Sequence, residues 1–185
     1  ASTIYRTTNG GTTWTPNAIG TSTTTTLYDI NFPTSAIGYA VGGSSTTSTA
    51  TGGVVYKTMD AGITWVPANT GLLPNTLYGV HFINDLVGYV VGDGGKIQVT
   101  TNGGTSWSAQ ISPVTTTLKK VYFTSDSIGY IVGANGVILK TTTGGFVPPF
   151  VANAGIDRNV CSGVCTTLGG SPTASGGIPP YTYSW

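Results

Sequence analysis

Glutamate is absent from the 185 residues: the six acids are all Asp, and seven Lys and Arg leave a net charge of +1. So little charge of either sign excludes electrostatic capture of nucleic acid or of an anionic membrane surface. The strong helix formers Ala, Leu, Glu and Lys are scarce as well, which nearly excludes helix. No stretch approaches the roughly 20 apolar residues of a membrane span. The opening Ala1-Ser-Thr-Ile-Tyr-Arg6 lacks the apolar block of a signal peptide. What is present instead is Thr, Ser, Val, Ile, ten Tyr and 28 Gly, the composition of short strands joined by tight turns. The length suits one or two domains. A low-charge Thr/Ser/Gly surface points to an extracellular or cell-surface protein, with neither nucleic-acid binding nor membrane insertion expected.

Self-similarity organises the rest. Leu27-Tyr-Asp-Ile-Asn-Phe32, Leu77-Tyr-Gly-Val-His-Phe82 and Leu118-Lys-Lys-Val-Tyr-Phe123 align. Each is followed by a second string: Ile37-Gly-Tyr-Ala-Val-Gly42, Val87-Gly-Tyr-Val-Val-Gly92 and Ile128-Gly-Tyr-Ile-Val-Gly133. A third string ends in Trp: Thr7-Thr-Asn-Gly-Gly-Thr-Thr-Trp14, Thr58-Met-Asp-Ala-Gly-Ile-Thr-Trp65 and Thr100-Thr-Asn-Gly-Gly-Thr-Ser-Trp107. A fourth copy, Thr141-Thr-Thr-Gly-Gly-Phe146, has lost the Trp. The period of about 42 residues is that of a four-stranded propeller blade. Alternation predicts strands over about 77–83, 87–92, 96–101 and 105–109 in the clearest unit. Strict alternation places Tyr28, Ile30 and Phe32, and Tyr78, Val80 and Phe82, in the core. It leaves Asp29, Asn31, His81, Lys120 and Tyr122 facing a central channel if this strand is innermost, with Lys119 pointing the other way. Ser/Thr/Gly-rich residues 43–52 read as an enlarged polar loop.

The third string resembles the Asp-box, Ser/Thr-x-Asp-x-Gly-x-Thr/Ser-Trp, of sialidase-type, sortilin-type and photosystem II assembly-factor-type propellers. With Gly-Tyr-x-Val-Gly ahead of each box, the unit is most similar to the assembly-factor type, over about residues 3–146. The resemblance implies structural roles for Asn9, Gly11 and Trp14, for Asp60, Gly62 and Trp65, and for Asn102, Gly104 and Trp107. The carboxylate or amide is expected to accept backbone N–H bonds across the turn. Each Trp is expected to be buried against a neighbouring sheet.

The fold class expected is all-β: a partial propeller of about three and a half four-stranded antiparallel blades in an incomplete ring (1–146), a Pro-containing linker (147–153) and the opening strands of a second module (154–185). Ala154-Gly-Ile-Asp-Arg-Asn-Val-Cys161 and Thr167 to Trp185 resemble the start of a PKD or Ig-like sandwich, as repeated in Bacteroidota surface adhesins, gliding-motility proteins and type IX-exported proteins. The unfinished blades and module imply other segments of a longer chain, or neighbouring copies, as partners. Cys161 and Cys165 are close enough for a local disulfide. Two free thiols, or pairing of Cys161 with a cysteine beyond Trp185, are the alternatives.

A sialidase needs three Arg for the substrate carboxylate, and this chain has only Arg6 and Arg158. No nucleophile elbow accompanies the single His81, and Asp93 in Gly92-Asp-Gly-Gly95 reads as a hairpin turn, not a phosphate or calcium loop. No catalytic residue, cofactor or metal is expected. Asp126-Ser127-Ile128 resembles a Bacteroidota O-glycosylation acceptor, which would make Ser127 the modified residue. The function expected is non-enzymatic adhesion or scaffolding at the cell surface through protein or glycan contacts. A propeller-type assembly factor or chaperone, and a glycan-binding module, are the alternatives.

Overall fold

The computed structural model describes residues 2–19, 25–46, 50–68, 71, 75–145, 151–152 and 174–175. The chain divides into two compact units, Ala1–Gly144 and Gly145–Trp185. Of the second, two short strands are described, β14 (Val151–Ala152) and β15 (Ala174–Ser175), which pair antiparallel. Cys161, Cys165 and most of the residues compared with a PKD or Ig-like module lie outside the described residues.

The first unit is all-β. Strands β1 (Ser2–Arg6) and β2 (Thr15–Ile19) form a hairpin over the first box. Four-stranded antiparallel sheets follow, β3 (Thr25–Asn31), β4 (Gly38–Thr46), β5 (Ala50–Thr58) and β6 (Val66–Pro67), then β7 (Leu77–Phe82), β8 (Gly88–Gly92), β9 (Ile97–Thr100) and β10 (Ser108–Gln110). A three-stranded sheet of β11 (Leu118–Phe123), β12 (Gly129–Gly133) and β13 (Ile138–Thr141) completes the unit. Among the described residues the only helical turns are single 3-10 turns at Asp93–Gly95 and Ala134–Gly136, and no helix is long and apolar enough to cross a membrane. Residues 43–46 and 50–52, expected as part of a polar loop, are strand: β4 and β5 continue pairing out to Thr46 and Ala50. Alternating Ser and Thr serve an extended hairpin as well as they serve a loop.

Each inner strand departs from strict alternation. The register slips between Leu27 and Asp29, between Leu77 and Gly79, and between Leu118 and Lys120. Tyr28, Tyr78 and Lys119 are therefore the extra residues of three equivalent bulges, and a bulge re-aims the side chain it carries. Leu77, Val80 and Phe82 are buried, whereas Tyr78 is only half-buried.

Two apolar clusters lie between successive sheets. One joins Tyr39, Val41 and Val55 of the second blade to Leu77, Val80, Phe82, Val90 and Trp107 of the third. The other joins Tyr89, Val91, Ile97 and Val99 of the third to Leu118, Val121 and Phe123 of the fourth. The aromatic contacts follow one rule. Tyr39 stacks on Phe82 at 3.6 Å between ring centres, and Tyr89 on Phe123 at 4.2 Å. Each Phe also lies over the glycine of its own Gly-Tyr pair: a Cβ on Gly38, Gly88 or Gly129 would stand 2.5 Å from the ring of Phe32, Phe82 or Phe123. The glycine gives the Phe its seat, and the Tyr of the preceding blade closes over it.

The core expected at Tyr28, Ile30 and Phe32 is not formed, for all three are substantially exposed. Their counterparts Val80 and Phe82 are buried because β4 and β5 pack against them. Only the β1–β2 hairpin precedes β3 among the described residues, and it supplies no tyrosine equivalent to Tyr39.

Candidate functional site

The boxes are built alike from the residues upward. At the second box Thr64 N donates to Asp60 Oδ1 (2.8 Å), Thr64 Oγ1 to Asp60 Oδ2 (2.6 Å) and Thr58 Oγ1 to Asp60 Oδ1 (2.8 Å), while Gly62 N donates to Thr58 Oγ1 (2.9 Å). These bonds, led by those from Thr64, lower the Asp60 pKa to about 2. At the third box Asn102 Oδ1 accepts from Ser106 N and Thr100 Oγ1, and Asn102 Nδ2 donates to Ser106 Oγ. The first box repeats this at Asn9 with Thr13 and Thr7. Asn replaces Asp by reversing one bond: the hydroxyl that donates to a carboxylate accepts from an amide.

The box also fastens one blade to the next. Gly103 O accepts from Tyr39 Oη (3.0 Å) and Lys57 Nζ (2.7 Å), Gly144 O from Tyr89 Oη (2.6 Å), and Ala61 O from Arg6 Nε (2.9 Å). Burial pushes the Tyr39 and Tyr89 phenols up to about 12, so both remain donors, with Asp85 adding to the shift at Tyr39. Gly11, Gly62 and Gly104 all have positive φ. The box tryptophans are not equivalent. Trp107 is 4% exposed, meets Phe82 edge-on and donates from Nε1 to Ala68 O at 3.0 Å. Trp65 is half-buried against Phe32, and its buried Nε1 finds no acceptor among the described residues. Trp14, expected to be buried, is 57% exposed, because no preceding sheet lies against its box among the described residues.

The surface with binding chemistry lies along the inner strands β3, β7 and β11. The three bulge residues meet there: the rings of Tyr28 and Tyr78 are 4.7 Å apart, and Lys119 Nζ sits 3.6 Å from the Tyr78 ring centre. This cation–π contact is worth about 0.5–1 kcal/mol. Asp93 anchors the row, accepting from Thr117 Oγ1 at 3.0 Å and, at 3.4 Å, from Tyr78 Oη. Lys119 therefore does not point away from this row as alternation required. Tyr28, Tyr78 and Lys119 were not among the candidate polar residues, although their equivalence was visible as the second position of each aligned string.

Of the expected channel-facing residues, Asp29 and Asn31 turn instead onto the next inner strand. Asp29 Oδ2 accepts from Val80 N (2.9 Å) and Asn31 Oδ1 from Phe82 N (3.0 Å). They cap backbone donors along the free edge of β7. Lys120 Nζ reaches both carboxylate oxygens of Asp29, at 2.7 and 2.8 Å, from two sheets away. Gly79 makes that reach possible, since a Cβ there would stand 2.9 Å from Lys120 Cα. His81 and Tyr122 meet at 5.0 Å. Burial lowers the His81 pKa and the Lys120 ammonium lowers it further, against a smaller opposing effect of Asp29, which favours the neutral imidazole. Ser127 is exposed at the turn before β12, and its carbonyl accepts from Gly144 N. Among the described residues no three His, Cys, Asp or Glu side chains cluster to hold a metal ion. The arrangement offers aromatic faces, ammonium groups and an imidazole along one strip, which suits contact with an extended segment or a sugar face.

Residues 67–147 match the family model of the photosynthesis system II assembly factor YCF48. A solved structure of YCF48 bound to D1 peptide is similar with a TM-score of 0.56 at 25% identity, over 67% of this chain and 40% of that one. YCF48 from Cyanidioschyzon merolae is similar with a TM-score of 0.58 at 23% identity, over 75% of this chain and 44% of that one. The chain spans less than half the length of either structure. No curated protein matches it. These findings, with the sheets described above, establish a BNR-like β-propeller repeat fold similar to that of YCF48.

Proposed function

We propose that the chain is part of a non-enzymatic propeller of the assembly-factor type, whose inner-strand strip holds a segment of a client protein. The observation that carries this reading is one of position. The residues matched by the assembly-factor family model, 67–147, contain Tyr78, His81, Lys119, Lys120 and Tyr122, five of the residues that build the strip. The solved neighbour that holds a D1 peptide supports a peptide as ligand. This reading takes the place of surface adhesion as the leading one. Adhesion or scaffolding at the cell surface, with export, is retained as a second reading because the sequence from Ala154 to Trp185 resembles the start of a PKD or Ig-like module.

Titration of a fluorescent D1-type peptide against the chain, followed by anisotropy, tests the proposal. Saturable binding that weakens roughly fivefold or more in Tyr78→Ala or Lys120→Ala supports it, the size expected when one aromatic or charged contact is lost at an interface. Binding to a glycan array with no affinity for peptides would replace it with the glycan-binding alternative.

A further inference from the structure

We propose that Asn135-Gly136 is a site of spontaneous deamidation and isoaspartate formation, from which the fold protects the chemically identical pairs Asn9-Gly10 and Asn102-Gly103. The sequence contains these three Asn-Gly pairs, and glycine offers the least steric hindrance to its own nitrogen as an attacking group. Gly136 N forms a bond to Asn135 Cγ, the Cγ–Nδ2 bond breaks, and ammonia departs carrying the proton lost by Gly136 N. Water then adds across one of the two carbonyls of the resulting five-membered imide. Opening on one side leaves Asp; opening on the other leaves isoaspartate, with the backbone routed through the side chain. No electrons are transferred, and solvent water is the only co-reactant.

The three sites differ in how firmly the reacting amide is held. Asn102 makes three side-chain hydrogen bonds inside its box, and Gly103 N donates to Leu86 O at 2.8 Å. Asn9 is held by the same side-chain pattern. Asn135 stands exposed at the tip of the β12–β13 hairpin, makes no side-chain hydrogen bond among the described residues, and takes a positive φ of 57°. A Cβ on Gly136 would meet nothing within 4 Å, as at Gly10, whereas one on Gly103 would stand 2.9 Å from Asp85 O; space around the imide is open at residue 135, and what sets it apart from Asn9 is the free side-chain amide. The outcomes of reaction would also differ. Asp in a box keeps the turn, as Asp60 shows, whereas isoaspartate at residue 135 adds a backbone methylene to a two-strand connection.

The test is a time course of the full chain at mildly alkaline pH, read by peptide mass mapping and by an isoaspartate assay. The peptide containing Asn135 is expected to gain about one dalton at least roughly tenfold faster than the peptide containing Asn102 while the chain is folded. In strong denaturant the three rates should converge. Asn135→Gly, which copies Gly94 at the same turn position of the preceding blade (φ 66°), should keep the fold and remove the fast phase. Equal rates at the three sites in the folded chain, or an inert Asn135, would overturn the proposal.

Discussion

The third box and the first carry nearly the same string, Thr-Thr-Asn-Gly-Gly-Thr-Ser-Trp107 against Thr-Thr-Asn-Gly-Gly-Thr-Thr-Trp14, and fold into the same hydrogen-bonded turn. Their tryptophans nevertheless meet opposite environments, Trp107 sealed beneath Ala68 and beside Phe82, Trp14 in solvent. The motif therefore specifies a turn and an orientation, while burial is supplied by the blade that comes before. The tyrosines show the complement. Tyr39 and Tyr89 are sealed by the blade that comes after, and their equivalent Tyr130 is exposed.

The largest effect expected separates the two tryptophans. Trp107→Ala should cost about 3–5 kcal/mol in equilibrium unfolding, as large core truncations do. Trp14→Ala should stay within about 0.5 kcal/mol, as surface changes do. Trp65→Ala belongs between them. A cost at Trp14 as large as at Trp107 would mean that burial is intrinsic to the box.

The tyrosine latch comes next. Tyr89→Phe removes the 2.6 Å bond to Gly144 O and should cost about 1 kcal/mol, with Tyr130→Phe near zero in the same denaturation series. Equal effects would separate the hydroxyl from the blade contact. Smaller, and of opposite sign, is Ala61→Gly. Ala61 holds φ at 58° where the other boxes have Gly10, Gly103 and Gly144. Relief of a left-handed conformation, about 1–2 kcal/mol, less the extra backbone entropy of glycine, about 0.5–1 kcal/mol, should leave a net gain of about 0.5–1 kcal/mol. A melting temperature that falls would contradict it.

The last effect separates the Asp box from the Asn boxes and depends on pH. The folded pKa of Asp60, about 2, lies below its ordinary 3.8. Its carboxylate bonds therefore stabilise fully above about pH 4 and are lost as pH falls through about 2. Asp60→Asn should leave neutral stability nearly unchanged, since Asn9 and Asn102 keep the same turn, and should flatten the acid limb of the stability curve. An unchanged acid limb would show that the Asp60 bonds do not survive in solution.

Much of this was legible in the sequence because repeats align equivalent positions. The strands of the third blade fall within a few residues of where alternation put them, and the boxes are where the Gly-Trp spacing indicated. The inner-strand bulges were not legible. A one-residue slip leaves the composition of the strand unchanged while moving Tyr78 out of the core and Lys119 onto its ring. The exposure of Trp14 and Phe32 was hidden for another reason, since it depends on a neighbouring sheet and not on local residues. The β4–β5 extension is not legible in the sequence because Ser and Thr serve turns and strands alike.

Acrylamide quenching of single-tryptophan variants, with the remaining tryptophans changed to Phe, tests most directly the claim that each box tryptophan is buried by its preceding blade. The account predicts that Trp14 is quenched nearly as fast as free indole, Trp65 more slowly, and Trp107 several-fold more slowly still, a difference that vanishes in denaturant. Equal protection of Trp14 and Trp107 in the folded chain would contradict it.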